Sequence, residues 1–248
     1  MRILYIIYQI CIGLPIFLVL TILTALVTTL GCWLGNGHFW GYYPGKIWSQ
    51  LTCITFLLPI KVEGKENIDE KTSYVFLANH QGAFDIFLIY GYLGRNFKWM
   101  MKKSLRKIPF VGKACEMAGF IFVDKSSPRK VYETIKNAER VLQGGTSMVV
   151  FPEGARTFSG HMREFKKGAF QMADQLQLPV VPMTIDGSFD VLPRTSKLLH
   201  WRRMKLTIHQ PIYPIGKGPE NQKMLLEESY KAIESGLPEK YKGQVPVQ

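Results

Sequence analysis

The chain reads Tyr74-Val75-Phe76-Leu77-Ala78 and then Asn79-His80-Gln81-Gly82-Ala83-Phe84-Asp85, and the fold class follows from this segment. The first five residues form an apolar run, which is typical of a strand buried in a parallel sheet. Ligands of open α/β sheets bind where such strands end. Asp85 can fold back to accept the imidazole N–H of His80, which would leave the other ring nitrogen free to take a proton. The segment predicts an α/β protein with a His–Asp pair at the edge of its sheet.

Short apolar runs alternate with charged, helix-like segments from residue 61 to residue 248. This alternation predicts a mixed, largely parallel sheet flanked by helices. Strands are expected at Tyr74–Asn79, Lys98–Met101, Phe120–Asp124, Ser147–Pro152, Val180–Asp186 and Met204–His209. Helices are expected at Phe84–Leu93, Pro128–Leu142, Gly168–Leu176 and Glu220–Ser235. The tail from Pro238 onward is expected to be loosely ordered.

Residues 1–60 have a different, strongly apolar composition. No residue from Ile3 to Leu30 is charged, and about 20 apolar residues suffice to cross a bilayer core. The segment is too long for a cleavable signal peptide, and no small-x-small cleavage site follows it. A second apolar segment, from Ile47 to Ile60, suits a partly inserted or interfacial helix. We therefore predict an apolar helical pair at 1–60 that embeds in or docks on a membrane, followed by a folded domain at 61–248.

Two arrangements of this helical pair fit the sequence. One is a single crossing of the bilayer, and the other is a hairpin that dips into one leaflet with both ends on the same side. Arg2 at one end and Lys46 and Lys61 at the other place positive charge on both flanks, which favours the hairpin. A buried helix of a soluble core fits less well, because such a helix should have a polar face.

The charge of the chain indicates an anionic partner. Only Arg2 and Lys46 are charged in residues 1–60, so almost all of the net charge of +12 belongs to the rest of the chain. Two acid-free basic patches favour contact with a membrane surface over nucleic acid, because no nucleic-acid-binding module is recognisable. The first patch is Arg95, Lys98, Lys102, Lys103, Arg106, Lys107 and Lys113, and the second is Arg194, Lys197, Arg202, Arg203 and Lys205 around Trp201.

Several kinds of chemistry lack their sequence signature. The four cysteines form no C-x-x-C pair and no His/Cys cluster with metal spacing, so we expect reduced thiols, a cytosolic body and no metal. No G-x-S-x-G segment supplies a serine nucleophile. No P-loop and no G-x-G-x-x-G segment after a strand indicates a nucleotide site. We expect no cofactor.

A second polar segment, Phe151-Pro152-Glu153-Gly154-Ala155-Arg156-Thr157-Phe158-Ser159-Gly160, also follows an apolar strand. Gly154 allows close approach of the backbone, and Arg156 supplies a planar fork that matches phosphate oxygens. Glu153 can anchor that arginine or line the site. The alternative is an ordinary Glu–Arg pair in a surface loop. Lys125 ends the apolar run Gly119–Asp124, and it either faces the same edge or only marks the end of a strand.

Four segments, taken in order, resemble the four blocks of the glycerolipid acyltransferases, above all the bacterial 1-acylglycerol-3-phosphate (lysophosphatidic acid) acyltransferases. The resemblance covers roughly residues 60–215, and residues 1–60 are similar to the membrane-docking helix pair of that family. The segments are Asn79–Asp85 with its His80-x4-Asp85 spacing, Gly119–Lys125, Phe151–Arg156 and Val180–Ile185.

The resemblance implies a glycerolphosphate acyltransferase-like fold and acyl transfer from acyl-CoA or acyl carrier protein. The acceptor would be the sn-2 hydroxyl of 1-acylglycerol-3-phosphate, the product phosphatidate, and the location the cell membrane with the catalytic domain on the cytoplasmic face. His80 would act as the general base, held by Asp85. Alternatives are another acceptor, such as glycerol-3-phosphate or another lyso-lipid, and a non-catalytic membrane protein that binds anionic lipids.

The resemblance also indicates which residues would bind the phosphate of the acceptor. Arg156, with Glu153 and Gly154, would bind it. Lys125 stands where the family usually has an arginine, so it offers a compact charge in place of a bidentate fork. Lys102 resembles a family lysine near the site and would also contact the acceptor.

Overall fold

The computed structural model describes residues 2–124, 126–143 and 146–243. Its strands are β1 (Ile60–Glu63), β2 (Val75–Ala78), β3 (Phe97–Lys102), β4 (Ile121–Val123), β5 (Ser147–Val150), β6 (Val180–Asp186) and β7 (Met204–Ile208). Its helices are α1 (Arg2–Tyr8), α2 (Leu14–Leu34), α3 (Gly37–Trp40), α4 (Tyr43–Thr55), α5 (Asp85–Tyr92), α6 (Val111–Met117), α7 (Pro128–Gln143), α8 (Gly168–Leu176), α9 (Ser188–Val191) and α10 (Pro219–Ser235). A π-helical turn, Gln9–Gly13, joins α1 to α2.

The described strands form one sheet in the order β1-β7-β6-β2-β5-β3-β4. Every neighbouring pair is parallel except β6 and β7, which are antiparallel. The prediction of a mixed, largely parallel sheet flanked by helices is therefore confirmed. Because β2, β5, β3 and β4 are parallel neighbours, their carboxyl ends meet at one edge of the sheet.

Apolar side chains cover both faces of the sheet. On one face α4 and α5 pack on Phe76, Val149 and Val181. On the other face α7, α8 and α10 pack on Val75 and Leu77. Successive residues of β2 thus enter opposite cores, as the alternation of a strand requires, and all four residues of β2 are buried. A strand buried on both faces explains why its sequence is apolar without interruption.

The predicted helical pair is present and forms an antiparallel hairpin. Near its closed end the Trp40 ring lies against Gly31, where an added Cβ would come within 2.4 Å of the ring. Halfway along, Trp48 Nε1 donates to Thr21 Oγ1 at 3.0 Å. At the open end Tyr8 donates its hydroxyl to the carbonyl of Thr55 at 2.8 Å. The start of α1 and the end of α4 consequently lie together, as the hairpin arrangement requires.

The first arm of the hairpin has an exposed apolar side. Ile3–Leu34 is 32 residues long and is apolar enough to cross a membrane by length and composition. Only a few of its residues, among them Gln9, Gly13 and Ala25, are buried. Packing against α4 and α6 therefore covers one side of this arm and leaves the other side uncovered.

The carbonyl groups at the end of α4 all have protein donors. Leu57 N donates to Ile54 O and Leu58 N to Cys53 O, both at 2.9 Å, which is the bonding of a Schellman motif. The next three carbonyls, of residues 55–57, accept from Tyr8 at 2.8 Å, Tyr5 at 2.8 Å and Trp201 Nε1 at 2.7 Å. Leu57 occupies the left-handed position of the motif with φ +55°, where glycine is usual.

The structure differs from the sequence-based expectations in several elements and in the tail. The short helices α3 and α9 were not expected, and α4 covers Tyr43–Thr55 where the second apolar segment was expected at Ile47–Ile60. Strand β1 was not expected, and it forms the sheet edge by pairing with β7. Helix α6 was not expected inside the first basic patch. The described part of the tail, residues 238–243, is held in place: Tyr241 is buried, and its hydroxyl donates to Asp190 at 2.7 Å.

Candidate active site

The His80–Asp85 pair has formed at the carboxyl end of β2. Asp85 is the first residue of α5, and its carboxylate reaches back so that Oδ2 lies 2.7 Å from His80 Nδ1. The same oxygen accepts the backbone N–H groups of Gln81 at 2.7 Å and Gly82 at 3.0 Å. The amino-terminal end of a helix favours a negative charge. Because a carboxylate only accepts, the hydrogen of the neutral imidazole belongs on Nδ1, and Nε2 carries the free lone pair.

His80 is held in a fixed plane by aromatic stacking. Its ring lies 4.0 Å from the Phe151 ring at an interplanar angle of 11°. Phe151 stacks in turn on Trp99, with 5.7 Å between centroids. The His80 side chain keeps 17% exposure, and Nε2 has no hydrogen-bond partner within the described part of the chain. An oriented base with an accessible nitrogen can take a proton from a bound hydroxyl.

Asn79 fastens the end of β2 to β6. Its side-chain amide donates to Ile185 O at 2.9 Å and its carbonyl oxygen accepts Ile185 N at 2.7 Å. On the same side Gly82 lies against Ser188, where an added Cβ would come within 2.4 Å of the serine carbonyl oxygen. The turn that carries His80 is thus held against β6 at Ile185 and against the start of α9 at Ser188.

Glu153 holds the second polar segment against His80. Its Oε1 accepts His80 N at 2.7 Å and its Oε2 accepts Arg163 N at 2.9 Å. Thr157 N also donates to His80 O at 2.9 Å. Glu153 is 2% exposed, and burial raises its pKa to about 8 although both amide donors lower it. Both carboxyl oxygens are therefore engaged by backbone groups, and neither faces an open site.

Arg156 and Gly154 lie in the part of this segment that remains open. Gly154 has φ +72°, a left-handed conformation that side chains disfavour. Arg156 is half-buried, and its guanidinium has no ion pair or hydrogen bond among the described residues. Since Thr157 N donates to the carbonyl of His80, the backbone of the adjacent Arg156 lies close to the turn that carries His80.

Of the two lysines proposed from the sequence, only Lys102 lies within the described residues. Lys102 ends β3 and pairs in register with Val123 of β4, so it lies at the same sheet edge as His80, exposed and without an ion pair in the described chain. Lys125 lies outside the described residues. The preceding Asp124 binds Lys103 Nζ at 2.7 Å.

The structure thus brings His80, Asp85, Glu153, Gly154 and Arg156 together. Sequence reasoning assigned no role to Phe151, Trp99, Asn79 or Gln81. Gln81 is buried and donates to Gly160 O at 2.7 Å, which ties the two polar segments together. The position of this polar residue directly after His80 could have indicated a role for Gln81 from the sequence. The stack of His80, Phe151 and Trp99 could not be predicted in that way, because it depends on strand pairing. Within the described residues no three His, Cys, Asp or Glu side chains are grouped to hold a metal ion.

The fold and site define an α/β protein with an oriented base and an unpaired cation at the carboxyl edge of a largely parallel sheet. Comparison with known proteins extends this class to a family. The model of the family described as Acyltransferase matches residues 59–186, so the chain belongs to that family.

Relatives and a solved structure agree with the assignment. The chain is 33% identical over 174 residues to a chloroplastic 1-acyl-sn-glycerol-3-phosphate acyltransferase of Arabidopsis thaliana, covering 69% of this chain and 48% of that protein. It is 31% identical over 186 residues to the enzyme of that name from Saccharomyces cerevisiae, covering 72% and 60%. It thus spans about half to three-fifths of these relatives. The crystal structure of the 1-acyl-sn-glycerophosphate acyltransferase PlsC from Thermotoga maritima superposes with a TM-score of 0.67 at 28% identity, covering 77% of each chain.

Proposed function

We propose that this chain is a membrane-bound acyltransferase that uses acyl-CoA or acyl carrier protein as the donor. It transfers the fatty acyl group to the sn-2 hydroxyl of 1-acylglycerol-3-phosphate and so makes phosphatidate. The observation that carries the proposal is the His80–Asp85 pair, 2.7 Å apart, with an accessible Nε2. The printed names of the relatives support the choice of acceptor.

In the proposed reaction His80 Nε2 takes the proton of the acceptor hydroxyl while the oxygen attacks the thioester carbonyl. Asp85 stabilises the resulting imidazolium. The tetrahedral intermediate collapses, the C–S bond breaks, and the leaving thiolate takes the proton back from His80. The C–O ester bond replaces the thioester bond, so neither an acyl-enzyme nor an outside reactant is required.

The phosphate of the acceptor would bind the positive charges at the same sheet edge. Arg156 offers a bidentate fork, and Gly154 lets the backbone approach a phosphate oxygen. Lys102 and Lys125 would supply further charge. Glu153 would contribute by positioning, because its oxygens bind the backbone of His80 and Arg163.

We propose different functions for the two parts of the chain. Residues 1–60 would dock the protein on the cell membrane, and residues 61–248 would form the catalytic domain on the cytoplasmic face. The uncovered apolar side of Ile3–Leu34 supports the docking role. A lipid acceptor could then keep its acyl chain in the bilayer while its hydroxyl reaches His80.

The deciding experiment offers a panel of acceptors and labelled acyl-CoA or acyl carrier protein to wild type and to His80→Ala. We expect phosphatidate from 1-acylglycerol-3-phosphate with wild type and a loss of turnover of at least a hundredfold with His80→Ala. His38→Ala, which removes an exposed histidine near the closed end of the hairpin, is the matched control and should leave turnover unchanged.

Two outcomes would refute the proposal. Product only from glycerol-3-phosphate or another lyso-lipid would reassign the acceptor. Equal turnover, or equal lack of it, in wild type and His80→Ala would favour a non-catalytic protein that binds anionic lipids.

A further inference from the structure

At the open end of the hairpin the backbone carbonyls are hydrogen-bonded by protein groups and do not need water. At the end of a helix exposed to solvent, water satisfies the last carbonyls. Here five consecutive carbonyls, of residues 53–57, accept from protein donors, and three of those donors are tyrosine or tryptophan side chains. Complete internal pairing is what a backbone at membrane depth requires. Leu57, at the tip, is nevertheless 54% exposed.

The loop at residues 191–203 is hydrogen-bonded to this end of the hairpin. Gln9, which lies in the π-helical turn, accepts Leu199 N at 2.8 Å and donates to Leu199 O at 3.2 Å. Trp201 binds the carbonyl of Leu57 and remains 54% exposed. Residues 191–203 and the end of the hairpin therefore present one continuous surface.

This surface is positively charged without compensation. No acidic residue occurs from Val191 through Pro219. Its exposed cations have no acidic partner within the described residues; they are Arg194, Lys197, Arg202 and Arg203. We call these four residues, with Leu57 and Trp201, the docking face.

The first basic patch of the sequence is different, because four of its seven cations are paired with an acid or buried. Lys98 is buried and donates to Ala118 O at 2.7 Å. Lys103 pairs with Asp124 and Arg106 with Glu116. In the second patch only Lys205 has an acidic partner among the described residues, Glu63 at 2.7 Å, and the other four cations are exposed.

The docking face adjoins the candidate active site on two sides. On the hairpin side Phe56 packs on Phe84, the residue before Asp85, at 6.0 Å between centroids. On the loop side the Arg194 guanidinium lies 4.2 Å from the Phe158 ring. Phe158 follows Thr157, whose N–H binds His80 O.

We infer that the docking face binds the surface of an anionic phospholipid bilayer, with Leu57 and Trp201 in the interface and the four cations on lipid phosphates. Tryptophan favours the headgroup region, and each Lys or Arg near an anionic surface strengthens binding. The inference rests on the proposed membrane-bound function. It adds the class of lipid, which is anionic, and a second membrane contact beside the hairpin that prefers this class. Binding there places His80 at the bilayer surface.

Vesicle binding by the full-length chain tests the inference. Wild type and the double variant R202Q/R203Q are mixed with vesicles of phosphatidylcholine alone or with added phosphatidylglycerol, and binding is measured by flotation. We expect the double variant to lose about tenfold to thirtyfold in affinity for the anionic vesicles and nothing for the neutral ones. Added salt should abolish the difference.

The matched control removes two charges from the opposite face of the sheet. K223Q/K231Q alters exposed lysines of α10 that pair with glutamates of the same helix, and it should bind anionic vesicles like wild type. Equal losses in both double variants would show a net-charge effect and overturn the inference. So would an unchanged R202Q/R203Q, which is the result expected if the face binds a soluble acidic protein.

The readout is independent of catalysis. His80→Ala should bind both kinds of vesicle as wild type does, so failure of the acyltransferase proposal would leave this result intact. Conversely, a wild-type chain that makes phosphatidate but binds anionic and neutral vesicles equally would overturn only the docking face.

Discussion

All hydrogen-bond donors to Asp85 bind the same carboxylate oxygen. A substitution that keeps one oxygen can therefore remove the negative charge of Asp85 while keeping these hydrogen bonds. Oδ2 accepts His80, Gln81 and Gly82, whereas the buried Oδ1 has no partner within the described chain. In Asp85→Asn the amide oxygen can take the place of Oδ2 and the NH2 group that of Oδ1. We expect kcat to fall on the order of 10²–10⁴-fold because the imidazolium loses its counter-charge. Thermal unfolding should change little; an unchanged kcat would contradict the role of Asp85.

Glu153 should make stability depend on pH. Below its ordinary value of 4.5 the carboxyl is protonated in both folded and unfolded chains. As the pH rises the unfolded chain ionises first, while the folded chain keeps the proton until about pH 8. The free energy of unfolding should therefore fall over this interval, by at most about 1.4 kcal/mol per pH unit from this group.

The variant Glu153→Gln cannot ionise and should show a flatter dependence between about pH 5 and about pH 8. Denaturant unfolding in detergent at several pH values measures the slope, whatever constant offset the amide introduces. Exposed Glu164→Gln is the control and should keep the wild-type slope. Equal slopes for wild type and Glu153→Gln would contradict a raised pKa.

The sequence predicted those residues whose partners are close along the chain. His80 and Asp85 are five positions apart, and a turn after a buried strand is enough to join them. The contact between Phe151 and His80 instead depends on β2 pairing with β5, which no local pattern specifies. Glu153 was expected beside a ligand, but its burial follows from the segment folding under His80, a tertiary effect.

At the scale of elements, the end of α4 combines strain with exposure. Leu57 has φ +55° and is largely exposed, so the fold gains little from its side chain. We expect Leu57→Gly to raise the free energy of unfolding by roughly 0.5 kcal/mol or more, because glycine removes the left-handed penalty. Binding to neutral vesicles should weaken, since an apolar anchor is lost.

Thermal unfolding in detergent and flotation on phosphatidylcholine vesicles measure the two effects. Gln177→Gly changes another residue with positive φ, at the end of α8 on the other sheet face, and should bind vesicles like wild type. Stronger or unchanged vesicle binding by Leu57→Gly would show that Leu57 does not enter the lipid.

Most strands and helices were predicted near their observed bounds, whereas β1 and α6 were missed. Gly168–Leu176 was predicted with the bounds that α8 has. Strand β1 continues directly from the apolar run that ends at Ile60, and its Lys61 and Glu63 are charged, so no boundary is visible. Helix α6 has only seven residues and lies among basic residues, which suggested a surface patch.

At the scale of the whole molecule, the two faces of the sheet differ in charge and in apolar exposure. The hairpin side carries an uncovered apolar arm and unpaired cations, whereas exposed lysines on α10 pair with glutamates. We expect washing of membranes with concentrated salt to leave the chain in the membrane fraction, because salt screens charges but not apolar burial. Detergent should release it. Recovery of the chain in the salt wash would indicate purely electrostatic attachment.

The fastening of the loop at residues 191–203 to the hairpin has a consequence for biosynthesis. Gln9 and Leu57 leave the ribosome early, but their partners Leu199 and Trp201 follow 190 and 144 residues later. Contacts so distant in sequence form late in folding. In the proposed membrane-docked protein the nascent hairpin therefore meets the lipid before its last backbone carbonyl is satisfied. The hairpin acquires that last donor only after Trp201 has been made.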